Sequence, residues 1–333
     1  MRGLPTIDDV RAARLRLRDL AIRTPLLTHP ALDAATGGRV LLKAESLQRV
    51  GAFKFRGAWN KVSQVDRAAY PGGVVACSSG NHAQGVAAAA RLAGMRAMIV
   101  MPSDAPPLKI ERTRAYGAQT HLYDRVREDR EAIAQRLSAE RNAALVHPFD
   151  DPDVIAGQGT VGLELMEQAA VMGRLPEAVL VPCSGGGLAS GIALAVKAVA
   201  PACEVFAVEP NGFDDLARSL ASGKRERNVR LSGSICDALL SVSPGEITFD
   251  ILRSRLAGSL TATDPEVRAA IRFAFHELKL VLEPGGAIAL AALLHGRVPT
   301  AGRTIACVLS GGNIDPALLG EIVTEQPAPS FGS

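Results

Sequence analysis

Lys54 stands between Phe53 and Phe55 in the stretch "LQRVGAFKFRGAWN", residues 47–60. An ammonium among phenyl rings is costly unless it is paired, deprotonated or used covalently. Schiff-base chemistry uses such a lysine, because a desolvated pocket lowers its pKa and frees the amine. The competing reading is a surface lysine snorkelling from an amphipathic helix. A second candidate is "SGGGL", residues 184–188, directly after the strand-like "AVLVPC". Consecutive glycines let backbone N–H groups converge, and the dipole of a following helix adds positive potential, which makes a phosphate site without lysine or arginine. The run lacks the six-residue dinucleotide fingerprint, and Leu188 stands where a Walker lysine would be needed. A glycine turn for close helix–strand packing is the alternative.

A buried lysine, a phosphate cradle and no nucleotide motif together point to a small phosphorylated aldehyde, and pyridoxal phosphate fits. Two further loops, "SSGNH" (78–82) and "SGGN" (310–313), also follow strand-like runs. The ends of such strands are where open α/β sheets bind ligands. With "GAFKFRGA", "SSGNHAQGVA", "SGGGLASG", "EPGGAIALAA" and "LSGGN" in this order, the sequence resembles the fold-type II pyridoxal-phosphate enzymes. Within them it is similar to the threonine/serine dehydratase and serine racemase group, over roughly residues 5–320.

The resemblance implies a role for each motif. Lys54 takes the cofactor aldehyde and, once released, removes the substrate Cα proton. Phe53 packs on the cofactor ring and Asn81 hydrogen-bonds the ring hydroxyl. Ser78, Ser79, Gly80, Asn81 and His82 surround the substrate carboxylate, as N–H groups at a helix start would. Gly185, Gly186, Gly187 and Leu188 hold the phosphate through their backbone. Ser310 meets the pyridine nitrogen; a hydroxyl there leaves the nitrogen mostly neutral, a weaker electron sink that favours prompt loss of a β-hydroxyl over transamination. Taken alone, Ser310 would read as a turn residue. Ser79 supplies the hydroxyl that a racemase uses on the face opposite Lys54.

The implied activity is elimination of water from L-threonine or L-serine, giving 2-oxobutyrate or pyruvate plus ammonia. Serine racemisation, or dehydration of another β-hydroxy amino acid such as 3-hydroxyaspartate, is the alternative. Where the family reads Ala-Asp-Gly, this chain has Cys236-Asp237-Ala238. The extra methyl falls close to where the substrate side chain should lie. In "AVEPNGFDDLARS", Glu209, Asp215 and the carbonyl of Phe213 match the place where the group binds a divalent cation. That oxygen set suits Mg²⁺ or Ca²⁺. Alternatively, Asp214 and Asp215 merely favour the first turn of a helix. The group is usually dimeric or tetrameric, so a homo-oligomer is expected.

These residues need a scaffold of strands and helices, and the patterning supplies one. Strand-like runs at 39–45, 73–79, 96–102, 118–124, 178–183, 203–210 and 303–310 alternate with helical stretches, which is a parallel α/β arrangement. We expect two doubly wound lobes of the tryptophan synthase β-like kind with the site in the cleft between them. Residues 1–70 and 148–333 would form a large cofactor-binding domain, and 71–147 a small substrate-side domain. Asn211 to Leu260 reads as mixed. The charged cluster "DRVREDREAIAQR", 124–136, reads as a solvated helix face rather than a binding patch. The tail "TEQPAPSFGS" reads as frayed.

The net charge of +3, from 37 basic and 34 acidic residues without a basic block, argues against nucleic acid as a partner. The apolar runs are too short to span a bilayer. The five scattered cysteines form neither a disulfide frame nor a zinc motif. A reduced, cytoplasmic protein is expected. About 20 residues follow "LSGGN", too few for the family's regulatory C-terminal domain.

Overall fold

A computed structural model describes residues 3–325, apart from 106 and 231. Ten strands run in chain order: β1 (Leu26–Leu27), β2 (Arg39–Ala44), β3 (Val74–Cys77), β4 (Ala97–Pro102), β5 (Gln119–Tyr123), β6 (Ala144–Leu145), β7 (Ala178–Pro182), β8 (Glu204–Pro210), β9 (Gly258–Ala262) and β10 (Thr304–Leu309). They make two sheets. The larger has the order β1-β2-β10-β7-β8-β9 and the smaller β5-β4-β3-β6. Every pairing is parallel except β1 with β2.

Both sheets are covered on both faces, which is why their inner strands read as unbroken apolar runs. In the larger sheet Leu180, Ile305, Cys307 and Leu309 face one core with Ile288 and Leu290 of helix Pro284–Leu294. Val179, Val181, Ala306 and Val308 face the other, against helices Pro152–Val171 and Gly187–Val199. In the smaller sheet Val74, Ala76 and Ile99 pack on the alanine-rich helix Asn81–Leu92. Val75 and Val100 pack on Ile133 and Leu137 of helix Arg130–Arg141. The period-two alternation of strand side chains thus serves two cores per sheet. Helix Lys54–Val62 lies between the lobes, for its Ala58 and Val62 share a core with both Val74 and Val154. This is the doubly wound α/β architecture expected.

Several local expectations change. The cluster at 124–136 is not one helix. Asp129 caps a helix that starts only at Arg130, accepting the N–H groups of Glu131 (2.8 Å) and Ala132 (3.2 Å). The Asp124 carboxylate fixes a turn before it. Apart from these, helix Asp264–Phe273 follows β9 in the chain. It widens into a π-turn, Ala274–Leu278, and ends at Lys279, whose φ is +57°. The mixed region hides edge strand β9, whose residues are mostly half-buried and so lack an apolar run. Residues 326–333 of the tail lie outside the described residues.

Candidate active site

Three loops leave the carboxyl ends of β3, β7 and β10 and face one cleft between the sheets. It is lined by Phe53, Lys54, residues 78–82, residues 184–188 and Ser310. The segment carrying Lys54 is zipped to the β10 loop. The Phe53 N–H donates to Ser310 O (3.1 Å), and Gly312 N–H donates to Gly51 O (2.9 Å). Val50 enters this turn with φ +58°, a costly conformation for a β-branched residue.

Lys54 opens helix Lys54–Val62 and turns its side chain into the cleft. Its Nζ donates to Pro148 O at 2.8 Å and lies 5.2 Å from the centre of the Phe53 ring. Burial pulls the amine down to about 8, with Glu283 acting in the opposite sense. The sandwich between two phenyl rings is not found. Successive helical residues diverge, so fully buried Phe55 packs against Leu17 and Ala88 instead.

The first turn of helix Gly187–Val199 closes with Ser190 N–H on Gly186 O, and the N–H groups before it have no intrahelical acceptor. Gly186 has φ +97°. A Cβ there would stand 2.8 Å from the Thr248 side chain, and one on Gly185 only 2.4 Å from the Phe149 ring. The glycines therefore serve close packing and bare the backbone at once. Across the cleft, Ser78 Oγ accepts Gly80 N–H (3.1 Å), and the Gly80–Asn81 junction starts helix Asn81–Leu92. His82 Nε2 lies 3.0 Å from Val146 O, so Nε2 carries the proton. Burial lowers the ring's pKa to about 3 and keeps it neutral. Its Nδ1 has no partner among the described residues.

Among the lining residues to which sequence reasoning gave no role are Lys109, Arg130, Asp237, Glu283 and Asn313. Arg130 corrects the reading of the charged cluster as solvated surface only. It is half exposed, and among the described residues its one acidic neighbour within salt-bridge reach is Glu131 at 3.9 Å. Lys109 of helix Pro107–Ala115 reaches across the cleft to Asp237 at 2.6 Å. Ala238, singled out for its methyl, does line the cleft. Glu283 opens the "EPGG" motif and Asn313 closes "SGGN", so the motifs were visible while the side chains' roles were not.

Glu209, Phe213 and Asp215 lie apart from this cleft, at the end of β8 and the start of helix Asp215–Ser222. The Glu209 carboxylate accepts the N–H groups of Leu216 (2.8 Å) and Ala217 (2.9 Å) and the Ser259 hydroxyl (2.7 Å). Asp215 Oδ1 accepts from Asn228 Nδ2 at 2.6 Å, whereas its buried Oδ2 has no partner among the described residues. Two buried carboxylates with one orphaned oxygen fit a hard cation. No third His, Cys, Asp or Glu joins them among the described residues.

A half-buried lysine amine, a glycine cradle at a helix start and a second helix start opposite define a site for a phosphorylated carbonyl cofactor with an anionic substrate. Residues 17–311 match the model of the pyridoxal-phosphate dependent enzyme family, and the chain belongs to that family. It is 43% identical to an L-threo-3-hydroxyaspartate ammonia-lyase from a Pseudomonas species, over 94% of this chain and 96% of that protein. It is 38% identical to a serine racemase from Schizosaccharomyces pombe, over 94% and 95%. The crystal structure of a threonine deaminase from T.th. superposes with a TM-score of 0.88 at 48% identity, covering 93% of this chain and 99% of that one. The cofactor is pyridoxal phosphate, as expected. No helix among the described residues is long and apolar enough to cross a membrane.

Proposed function

We propose that the protein is an ammonia-lyase that dehydrates an L-β-hydroxy amino acid, with a dicarboxylic substrate of the 3-hydroxyaspartate type preferred over serine and threonine. The observation that carries this preference is Arg130 in the cleft wall, a guanidinium whose one acidic neighbour within salt-bridge reach among the described residues is Glu131 at 3.9 Å. A second carboxylate on the substrate side chain is the group such a guanidinium recognises, Lys109 in the same cleft being held by Asp237. The name of the Pseudomonas relative agrees with this choice.

When bound, pyridoxal phosphate supplies the electron sink that makes the α-proton of an amino acid removable. The residues of the chain do the rest. The N–H groups of residues 185–188 hold the phosphate. The helix start at 78–82 orients the α-carboxylate. Lys54, as a neutral amine, accepts the Cα proton. The electron pair left at Cα forms the Cα–Cβ double bond as the Cβ–O bond breaks, the leaving hydroxyl takes up one proton to depart as water, and the released enamine is hydrolysed by water to a 2-oxo acid and ammonia. Ser310 offers the pyridine nitrogen a hydroxyl rather than a carboxylate. Ala238 adds a methyl to the same cleft wall.

The test is 2-oxo acid release from L-threo-3-hydroxyaspartate, L-serine and L-threonine. The dicarboxylic substrate should have the highest kcat/KM. Arg130→Met should lower it by about 10- to 100-fold while leaving serine turnover near its starting value. Higher kcat/KM for serine or threonine in the unaltered enzyme would refute the substrate and leave the lyase reading standing. No 2-oxo acid from any of the three would refute both.

A further inference from the structure

Glu283 stands just before helix Pro284–Leu294 at the wall of the cleft, its side chain is buried, and it has no lysine or arginine within salt-bridge reach among the described residues. Its Oε1 accepts Asn81 Nδ2–H at 2.5 Å. Asn81 Oδ1 accepts Asn313 Nδ2–H at 2.8 Å, and the same Asn313 nitrogen donates to Val50 O at 2.7 Å. Both ends of this chain, a carbonyl and a carboxylate, are acceptors. That forces each amide's orientation. Asn313 must present its nitrogen to Val50 and to Asn81. Asn81 must then present its oxygen to Asn313 and its nitrogen to Glu283, with one N–H left over. The site is tight: a Cβ on Gly311 would stand 2.1 Å from Glu283 Oε1 and 3.2 Å from Asn81 Nδ2.

We infer that Glu283 is a positioning residue for the cofactor ring, acting through Asn81: it holds the Asn81 amide so that the remaining N–H meets the ring hydroxyl, and its charge biases how readily that hydroxyl ionises. The chain of bonds joins three parts of the cleft. Val50 belongs to the strained turn ahead of Lys54, Asn81 to the small sheet's helix, and Glu283 to a helix of the large sheet. The charged and titratable groups facing Glu283 are Asp237 and Cys236 from one segment, Lys109 from helix Pro107–Ala115 and Lys54. Burial and Asp237 push its carboxyl up to about 7, while the Asn81 bond, Lys109 and Lys54 pull the other way. Around neutrality the acid is therefore divided between two charge states, and only the ionised one is the strong acceptor that the Asn81 orientation requires.

This inference rests on the reading that places Asn81 against the cofactor. It is tested by the visible absorption of bound pyridoxal phosphate in the holoenzyme across about pH 6–9, beside the melting temperature. The wild type should show a spectral transition near pH 7. Glu283→Gln keeps a carbonyl for Asn81 but not the charge. It should abolish the transition with the melting temperature within a few degrees. Asn313→Ala interrupts the chain at its far end and should displace the midpoint. Asn81→Ala should abolish the transition. A wild-type profile retained in Glu283→Gln, or no transition in the wild type, overturns the inference. If Asn81→Ala removes the transition and Glu283→Gln does not, this inference alone fails. If Asn81→Ala leaves spectrum and transition untouched, the placement of Asn81 fails and the inference with it.

Discussion

Arg56 meets Glu164 through two hydrogen bonds, Nη1 to Oε1 at 2.7 Å and Nη2 to Oε2 at 2.9 Å, with the guanidinium wholly buried. Its Nε and Nη2 also meet the Glu45 carboxylate at 2.8 Å each, and Lys43 Nζ meets Glu164 at 2.7 Å. Two cations and two carboxylates close a neutral cluster joining β2, helix Lys54–Val62 and helix Pro152–Val171. Buried ions are tolerated only while paired. Arg56→Met leaves two carboxylates facing one lysine, and should cost about 3–5 kcal/mol in a denaturant melt. Arg136→Ala, which breaks the exposed pair with Glu140, should change stability by about 0.3–0.5 kcal/mol. Equal losses for the two would mean that the cluster is no tighter than a surface pair.

The Lys54 amine sets the expected pH dependence of turnover. Burial holds it near 8, below the ordinary lysine value, and only a neutral amine can accept the Cα proton in the proposed mechanism. As pH falls through about 8 the amine becomes protonated, and kcat should drop about tenfold per pH unit on the acid side. The negative charge of Glu283 raises the lysine's pKa. Glu283→Gln should therefore move the ascending limb to lower pH. A limb that moves to higher pH, or a kcat flat from about pH 6 to 9, would show that another group governs the step.

Lys54 and the glycine loops were legible in the sequence because each is a local contradiction. A charge stands in an apolar run, and flexible residues stand where a strand meets a helix. The parallel sheets were legible from alternating apolar runs. The other half of the site was not, because it is assembled across the two sheets. Asn81 meets Glu283 over 202 residues, Asn313 meets Asn81 over 232, and Lys109 meets Asp237 over 128. No spacing rule reaches that far. Arg130 was hidden differently, inside a charged stretch whose helix starts only at that residue. Phe55 misled because adjacency in sequence is not adjacency on a helix, and its ring went to another core.

The orphaned Asp215 Oδ2 bears on cation binding. An acceptor buried without a donor costs about 1–3 kcal/mol, which a bound cation would recover. We expect Mg²⁺ or Ca²⁺ to raise the melting temperature of the holoenzyme, by the equivalent of about 2.7 kcal/mol at a hundredfold excess over Kd. A chelator should reverse the gain, and Asp215→Asn should remove the response while the helix it starts remains. A melting temperature indifferent to both cations and to chelator would leave Asp215 as a helix-start residue alone.

We expect Ser79 to decide whether the enzyme also works on the second face of its substrate. It sits in the loop at the end of β3, on the small-sheet side of the cleft, while Lys54 enters from the helix between the lobes. In the proposed mechanism Lys54 removes the Cα proton from one face. Racemisation needs a proton returned to the other, and the Ser79 hydroxyl is the donor we propose for it. An alanine in its place would leave the N–H groups of the loop, proposed to bind the substrate carboxylate, intact, because they belong to the backbone. Incubation of the holoenzyme with L-serine should yield D-serine beside pyruvate, read by chiral chromatography. Ser79→Ala should lower D-serine formation by at least about tenfold and leave pyruvate release from L-serine within about twofold. Absence of D-serine with the unaltered enzyme, or equal loss of both products in the variant, would assign Ser79 to binding alone.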